Sequence, residues 1–361
     1  MSIPVLAVQV VVLFLASTVV FDCVHYGLHV LADSRFRPLR RIGALHSAHH
    51  AFLDRNLEID DAFLRANLVR HVIPEFLTQA CFSLSLLWLL PPALVGSALA
   101  LQLLVFLLIL ACKGKDVNHK PISTLRAYRP SWWCLPPYHA LHHVSPDAHF
   151  SSWIKLFDRV AGKGVSFDGR RVAITGGESP FGGALRTLLE RHGVSGIASL
   201  EPGRDFDLDG TARLESALHD VDILILAHSD GGAGATGRPS YVAAIEQFKR
   251  AASDRKLPIE VWALGSQGEW TARPQSQASR AFARHARRYY VDDRIIYRHI
   301  ASAPIRGPAG RGRLTAPLAA RIAFFFIRRG FNYVPVTLSW TALLYFVSFR
   351  WFVRPAPAPA G

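Results

Sequence analysis

The chain has 361 residues, half of them apolar, with a formal net charge of +14 and four cysteines. That length allows two or three domains, and a positive mean hydropathy points to membrane segments. Cys23, Cys81, Cys112 and Cys134 form no CxxC pair, which argues against a disulfide framework; the basic excess flanks apolar runs, where the positive-inside rule accounts for it without nucleic acid.

Residues 3–31 read as one long apolar helix, enough to cross a bilayer. The run continues into His25 and His29, so it is expected as a retained membrane helix rather than a signal peptide. Asp22, His25 and His29 are polar groups at a depth where such groups are costly and usually functional. Arg35, Arg37, Arg40 and Arg41 follow, then His46, His49 and His50 in an HxxHH pattern. Residues 51–70 are charged and amphipathic, and 72–90 and 93–112 are apolar runs joined at Pro91-Pro92, expected as a helical hairpin. Arg65, Arg70, Lys113 and Lys115 flank that hairpin, so both feet are expected on the basic, cytoplasmic side.

A second HxxHH follows at His139, His142 and His143, with His119 ahead of it in an irregular Pro/Trp-rich stretch. On a helix, positions i, i+3 and i+4 share a face, so each motif is expected to aim three imidazoles in one direction. Imidazole suits iron, zinc, copper and nickel. The expectation is a multi-histidine metal site at one membrane face. Residues 152–159 read as a closing helix and 162–164 as a linker.

After about residue 168 the pattern changes to alternating strands and helices. Strands are expected at 171–175, 197–200, 222–227, 259–264 and 294–299, hence a parallel α/β sheet. Thr175-Gly176-Gly177-Glu178-Ser179-Pro180-Phe181-Gly182 resembles a dinucleotide-binding turn. Residues 317–349, with Arg328, Arg329 and Arg350, are read as docking on the membrane or as another buried helix, and 355–361 as a disordered Pro/Ala tail.

Asp22-x-x-His25-x3-His29, His46-x-x-His49-His50, Asn118-His119, Pro137-Tyr138-His139-x-x-His142-His143 and Leu156-Phe157-Asp158-Arg159 together resemble the fatty acid hydroxylase / sterol desaturase superfamily of membrane di-iron enzymes. The glycine turn behind them makes the chain similar to the bifunctional sterol desaturase/short-chain dehydrogenase type. The resemblance implies an α-helical membrane domain over 1–164, a degenerate Rossmann-like NAD(P)-binding-type domain over 165–315, and a membrane-associated C-terminal helix and tail over 316–361. It implies two iron ions held by His25, His29, His46, His49, His50, His119, His139, His142 and His143. His71, before Pro74-Glu75, is included as a further ligand. It implies O2-dependent hydroxylation or desaturation of a fatty acyl or sterol-like lipid drawn from the bilayer. Because no haem, flavin or Fe–S motif appears, an external electron donor of cytochrome or ferredoxin type is expected. The protein is expected to be multi-pass, with the histidines and the second domain on the cytoplasmic side. Alternatives are an aldehyde- or acyl-converting relative of wax-forming enzymes and a non-catalytic nucleotide-binding regulator.

Asp22, Asp116 and Asp158 are candidates to orient imidazoles, with a cap or ion pair the stronger expectation for Asp158; His149 is expected to be structural or behind the ligands. In the second domain, Gly176, Gly182 and Glu201 are the candidate NAD(P) contacts. The Tyr-x3-Lys pair of a short-chain dehydrogenase is replaced in that register by Ser276-x3-Arg280, and no Lys lies four residues after Tyr289 or Tyr290. Ser266 matches the upstream serine, but a serine alone does not move the proton. Pro180 stands at the turn's second glycine position, where it offers no N–H. His228 follows a strand where the family has an Asn-rich motif, and His192, His219, His285 and His299 are read as surface or packing residues.

Overall fold

The structure, a computed structural model, describes residues 2–125, 128–201, 204–205, 211–228, 239–266, 277–306, 312–337 and 341–357. It divides into two compact units, Met1–Arg126 with Ser131–Gly164, and Ala127–Pro130 with Val165–Gly361.

The first unit is helical. α1 (Ile3–Ala32) buries Leu13, Phe14, Ser17, Phe21 and His25, a set at three- and four-residue spacing, which is one helical face. Its other face exposes Val5, Val8, Val11 and Val12. α1 and α6 (Pro92–Ala111) are, among the described residues, the helices long and apolar enough to cross a membrane. Only 22% of the most apolar window of each is buried, the reverse of a core helix. Between them run α2 (Arg37–Gly43), α3 (Ser47–Phe52), α4 (Leu64–Asn67) and α5 (Ile73–Ser85). Gln102 of α6 ties the bundle by donating from Nε2 to Ser17 Oγ at 2.9 Å and to Ser83 Oγ of α5 at 2.8 Å. Such interhelical polar bonds hold helices together where apolar burial gives no preference.

The expected first hairpin arm differs. α5 has 13 residues, too few to span a bilayer alone. A π turn at Leu68–Val72 joins it to α4. Pro74 has no N–H and its ring crowds the carbonyl of Arg70, so the ladder widens just before it. His71 sits in that widened turn. After α6, a loop leads to α7 (Pro136–Val144) and the short α8 (Leu156–Ala161).

The second unit is a parallel six-stranded sheet in the order β2-β1-β3-β4-β5-β6. The strands are β1 (Arg171–Thr175), β2 (Gly196–Leu200), β3 (Ile223–Leu226), β4 (Ile259–Ser266), β5 (Ile295–Ser302) and β6 (Tyr333–Val336). α9 (Pro180–Glu190), α10 (Thr211–Leu218), α11 (Pro239–Ala251), α12 (Gln277–Val291), α13 (Ala316–Arg328) and α14 (Thr341–Trp351) connect and flank them. The central strands are apolar on both faces, as in the fully buried Ile223–Leu226, because helices cover both sides of the sheet. One core joins Leu224, Tyr241, Phe248 and Phe282; the other joins Ile174, Leu185, Trp262 and Phe324. The strand order reverses at β1, which is the doubly wound, Rossmann-like arrangement.

Of the two readings of 317–349, the buried helix is the one its first part takes, within the second unit rather than as a separate membrane-associated end. α13 buries Ala319, Ala320, Ala323 and Ile327 in the α/β core, and β6 extends the sheet beside β5. The strand was hidden because it is four residues long and contains Pro335, a residue tolerated only where a ladder N–H is not required, as on an edge strand.

Candidate metal centre

Five segments bring the histidines together. His25 and His29 lie one turn apart near the end of α1. His46 closes a 3₁₀ turn into α3, which carries His49 and His50. His139, His142 and His143 lie on α7, and His71 sits in the π turn. His119 is held in a loop by its own and Asn118's backbone N–H bonds to Asp116 Oδ1.

All ten histidines assigned from the sequence fall into metal-compatible groups. His25, His29, His46, His50 and His142 form one, with ligand nitrogens within 4.8 Å of one another. His49, His119, His139 and His143 form a second, and His71 joins His46 and His49 in an overlapping third. The rings of His71 and His49 stack at 3.6 Å. The two HxxHH motifs do not each aim three ways at one point. In each, the i and i+4 histidines share a group while the i+3 histidine crosses to the other.

The donor atoms fit a metal. Nδ1 of His142 donates to the Ala148 carbonyl at 2.8 Å and Nδ1 of His143 to the Leu53 carbonyl at 2.7 Å. His119 Nδ1 bonds Asp116 Oδ1 at 2.9 Å and His49 Nδ1 bonds Asn67 Oδ1 at 3.0 Å. An oxygen acceptor on Nδ1 fixes the proton there. It leaves Nε2 of His49, His119, His142 and His143 as a buried lone pair with no hydrogen-bond partner. Both ring nitrogens of His139 are likewise unpartnered. Buried polar atoms are normally satisfied, so a cluster of such orphans calls for a ligand. Nε2 atoms of His25 and His46 face each other at 2.9 Å, and those of His50 and His29 at 3.3 Å. Two nitrogens each about 2.1 Å from one metal and at right angles around it stand about 3.0 Å apart.

Electrostatics agree. Burial, then neighbouring imidazoles, push His46, His49, His139, His142 and His143 well below the ordinary value. His50 is drawn down to about 3, by burial first and then by His29 and Arg55. His119 is the exception: burial opposes its charge, but Asp116 carries it above the usual value. Asp116 is itself held down at about 2, its burial outweighed by His119 and two backbone N–H bonds. Neutral imidazoles are the metal-binding form. The sign of the pH effect follows. Below 6.5 the unfolded chain takes up protons that folded His50 refuses until about pH 3, so stability falls as pH drops. Lowering the pH from 7.5 to 5 is expected to cost the metal-free protein about 2 kcal/mol from His50 alone. Denaturant midpoints at the two pH values check this; a flat response contradicts neutral burial.

A cavity of about 330 Å³ opens on the site. Phe21, Val105, Leu108, Ile109 and Trp153 form its apolar walls, His25, His71, His119 and His139 its floor, and Glu75, Lys115 and Lys120 its polar margin. Phe150, buried, packs its ring against His25, His29 and His142 at 4.9–5.4 Å.

Of the three candidate carboxylates, only Asp116 touches an imidazole. Asp22 Oδ1 instead accepts from the N–H and hydroxyl of Ser152. Asp158 accepts from Tyr138 Oη at 2.7 Å and from the N–H groups of Phe150 and Ser151. Both stitch the loop after α7, a role set by the loop's unpaired N–H groups. His149, at φ +62°, uses its N–H to bond the Lys163 carbonyl and lies edge-on to Tyr138. Sequence reasoning missed Asn67 and the Leu53 and Ala148 carbonyls; a backbone carbonyl has no sequence signal, and Asn67 belongs to no motif.

In the α/β unit, Gly176 takes φ +70°, and a Cβ there would meet His228 Cα at 2.6 Å. A Cβ on Gly182 would collide with the Gly176 carbonyl. The turn therefore needs both glycines for packing. Two of its donors are already engaged: Ser179 Oγ accepts from Gly182 N–H at 3.0 Å and Glu201 Oε1 accepts from Glu178 N–H at 3.1 Å. His228 bonds Thr175 Oγ1 at 2.6 Å and Ser240 Oγ at 2.8 Å. It thus bridges the carboxyl ends of β1 and β3, where doubly wound sheets take their ligands. Tyr289 Oη donates to Glu246 at 2.8 Å and Tyr290 packs on Phe349. Ser266 ends β4 opposite Ser302. Ser276 and the Arg280 side chain lie outside the described residues. His299 is fully buried and stacks on Phe349, and His192 packs on Phe324, while His219 is exposed beside Asp220.

No family model matches the chain. It is similar to a monoglucosyldiacylglycerol epimerase of Synechocystis sp. (strain ATCC 27184 / PCC 6803 / Kazusa), at 27% identity over 243 residues, covering 57% of this chain and 57% of that protein. The match thus spans little more than half the length of that relative. Among solved structures, a short-chain dehydrogenase from Burkholderia cenocepacia J2315 in complex with NADP is similar at 15% identity over 52% of this chain and 96% of that one, with a TM-score of 0.41. A short-chain dehydrogenase from Bacillus anthracis str. 'Ames Ancestor' is similar at 16% identity over 47% and 96%, with a TM-score of 0.38.

Proposed function

We propose that the helical unit is a membrane-bound, O2-dependent oxidoreductase domain that holds two iron ions and hydroxylates or desaturates a lipid. The observation that carries this reading is the cluster of bare, buried imidazole nitrogens, two of whose residues, His119 and His139, line an apolar-walled cavity. When bound, iron supplies the O2 activation needed to oxidise an unactivated C–H bond. The chain's own residues do the rest. Phe21, Val105, Leu108 and Ile109 line the space that would receive a lipid chain. Phe150 covers His25, His29 and His142 and keeps water from them. Asp116, Asn67 and the Leu53 and Ala148 carbonyls hold four ligand rings in one tautomer and orientation. Iron rather than another imidazole-binding metal follows from the family resemblance. Electrons would come from a separate cytochrome- or ferredoxin-type donor. The protein would be multi-pass, with histidines and α/β unit facing the cytoplasm. The α/β unit is proposed as a companion without dehydrogenase chemistry; NAD(P) binding at Gly176, Gly182 and Glu201 would require the Glu201–Glu178 bond to yield.

A second reading follows from the relative named above. An epimerase acts on a lipid's sugar headgroup, so the substrate would be a glycolipid and the reaction an inversion at one sugar carbon. One experiment separates the readings. The purified protein is supplied with iron, a reductase system, isotopically labelled O2 and bacterial lipid extract. Gain of one labelled oxygen, or loss of two hydrogens strictly dependent on O2, is the expected result. An unchanged mass with an inverted sugar hydroxyl, formed without O2, would move the assignment to epimerisation.

A further inference from the structure

α2 follows the end of α1 after a four-residue link and is pressed back onto it. A Cβ on Gly43 would collide with Ala32 N and stand 2.6 Å from Ala32 Cα and from the Leu28 carbonyl. Backbone meets backbone there, so α2 is fixed at the last turn of α1. Gly43 is its one buried residue. Everything else faces outward, and it is sorted by side. Phe36, Leu39 and Ile42, spaced by three, are 63%, 38% and 46% exposed. Arg37, Arg40 and Arg41, at i, i+3 and i+4, lie together on the opposite side, and Arg35 adds a fourth exposed cation. Among the described residues none of these four guanidinium groups pairs with a carboxylate. Arg40 reaches only the Ser34 carbonyl, at 3.4 Å.

We propose that α2 is an interfacial helix that binds the anionic phospholipid headgroups of the leaflet at the C-terminal end of α1. The inference rests on the reading that α1 crosses a membrane. A helix with an apolar side and an unpaired cationic side, fixed at the end of a span, meets hydrocarbon with one side and phosphate with the other. Clustered basic residues directly after a span are attracted to anionic lipid within a Debye length of the surface. A zwitterionic surface, whose phosphates are balanced by its own cations, would offer the four guanidinium groups no net attraction. α2 runs directly into the turn that carries His46, so headgroup contact would brace the segment that supplies three of the histidines.

The test uses the full chain in membranes of phosphatidylcholine mixed with phosphatidylglycerol. After extraction, the lipids retained by the protein are measured by mass spectrometry. Wild type is expected to retain phosphatidylglycerol several-fold over its share of the mixture, and the preference to fall in high salt. The Arg35→Gln/Arg37→Gln/Arg40→Gln/Arg41→Gln variant is expected to lose it, and the corresponding Lys variant to keep it. Equal retention by wild type, or an undiminished preference in the Gln variant, overturns the proposal. Alkaline carbonate extraction tests the underlying reading separately: wild type released from membranes would remove the span itself, whereas wild type and Gln variant both staying in the pellet leave lipid preference as the deciding result.

Discussion

The protein purified in detergent is expected to carry about two metal ions per chain, and His143→Ala is expected to lose one while His25→Ala/His29→Ala loses the other. His143 belongs only to the group with His49, His119 and His139; His25 and His29 belong only to the group with His46, His50 and His142. Each variant leaves three imidazoles, which hold a metal more weakly than the full set, so the loss is read after dialysis against a chelator. Combining the variants is expected to leave about none. Asp116→Asn is a milder probe. It keeps the ring but weakens the bond that holds His119 Nδ1, and losses of about 10–100-fold in affinity are usual for such partners. Elemental analysis of folded, monodisperse protein reads all of these. Simultaneous loss of both metals in either variant would mean one shared centre. Full retention in both would remove the metal reading.

Val105→Trp and Ile109→Trp should lower lipid turnover by at least about tenfold with metal content unchanged. Both residues line the cavity and stand on the same side of α6, one turn apart. An indole there takes the space a lipid chain would occupy above the histidine floor, and displacement of a reacting carbon by about 1 Å can cost about 100-fold. Leu104→Trp is the control. Leu104 lies on the same helix, 53% exposed and outside the cavity lining, so its variant should match wild type. Equal turnover in all three would place the substrate path elsewhere; equal loss in all three would point to disturbed packing of α6.

The histidines were legible because imidazoles at three- and four-residue spacing have few uses besides metal binding. Six of the ten stand in the two HxxHH motifs, and His25 and His29 repeat the i, i+4 step. His71 was legible only through the resemblance, since a single histidine before Pro74 carries no pattern. The parallel sheet was legible because strands such as Ile223–Leu226 are apolar at every position. β6 was not, because Pro335 masks it. Residues 317–349 read equally as membrane-docking or as a buried helix for a related reason. An Ala/Phe face looks the same whether it meets lipid or a sheet, and only the partner decides.

What the sequence determined by itself was the inventory: the imidazoles of His25, His29 and the two HxxHH motifs, long apolar runs at 3–31 and 93–112, an α/β half and a glycine turn broken by Pro180. It determined these because composition and local periodicity follow from the chain alone. Tertiary structure decided the partition. His49 crosses to the group of His119, His139 and His143, and His142 crosses to that of His25, His29, His46 and His50. The i+3 ring of each motif bonds its Nδ1 to an oxygen outside the motif, Asn67 Oδ1 for His49 and the Ala148 carbonyl for His142. It likewise assigned Asp116 to an imidazole and Asp22 and Asp158 to a loop. Asn67 meets His49 across 18 residues and the Leu53 carbonyl meets His143 across 90, contacts that no local pattern encodes.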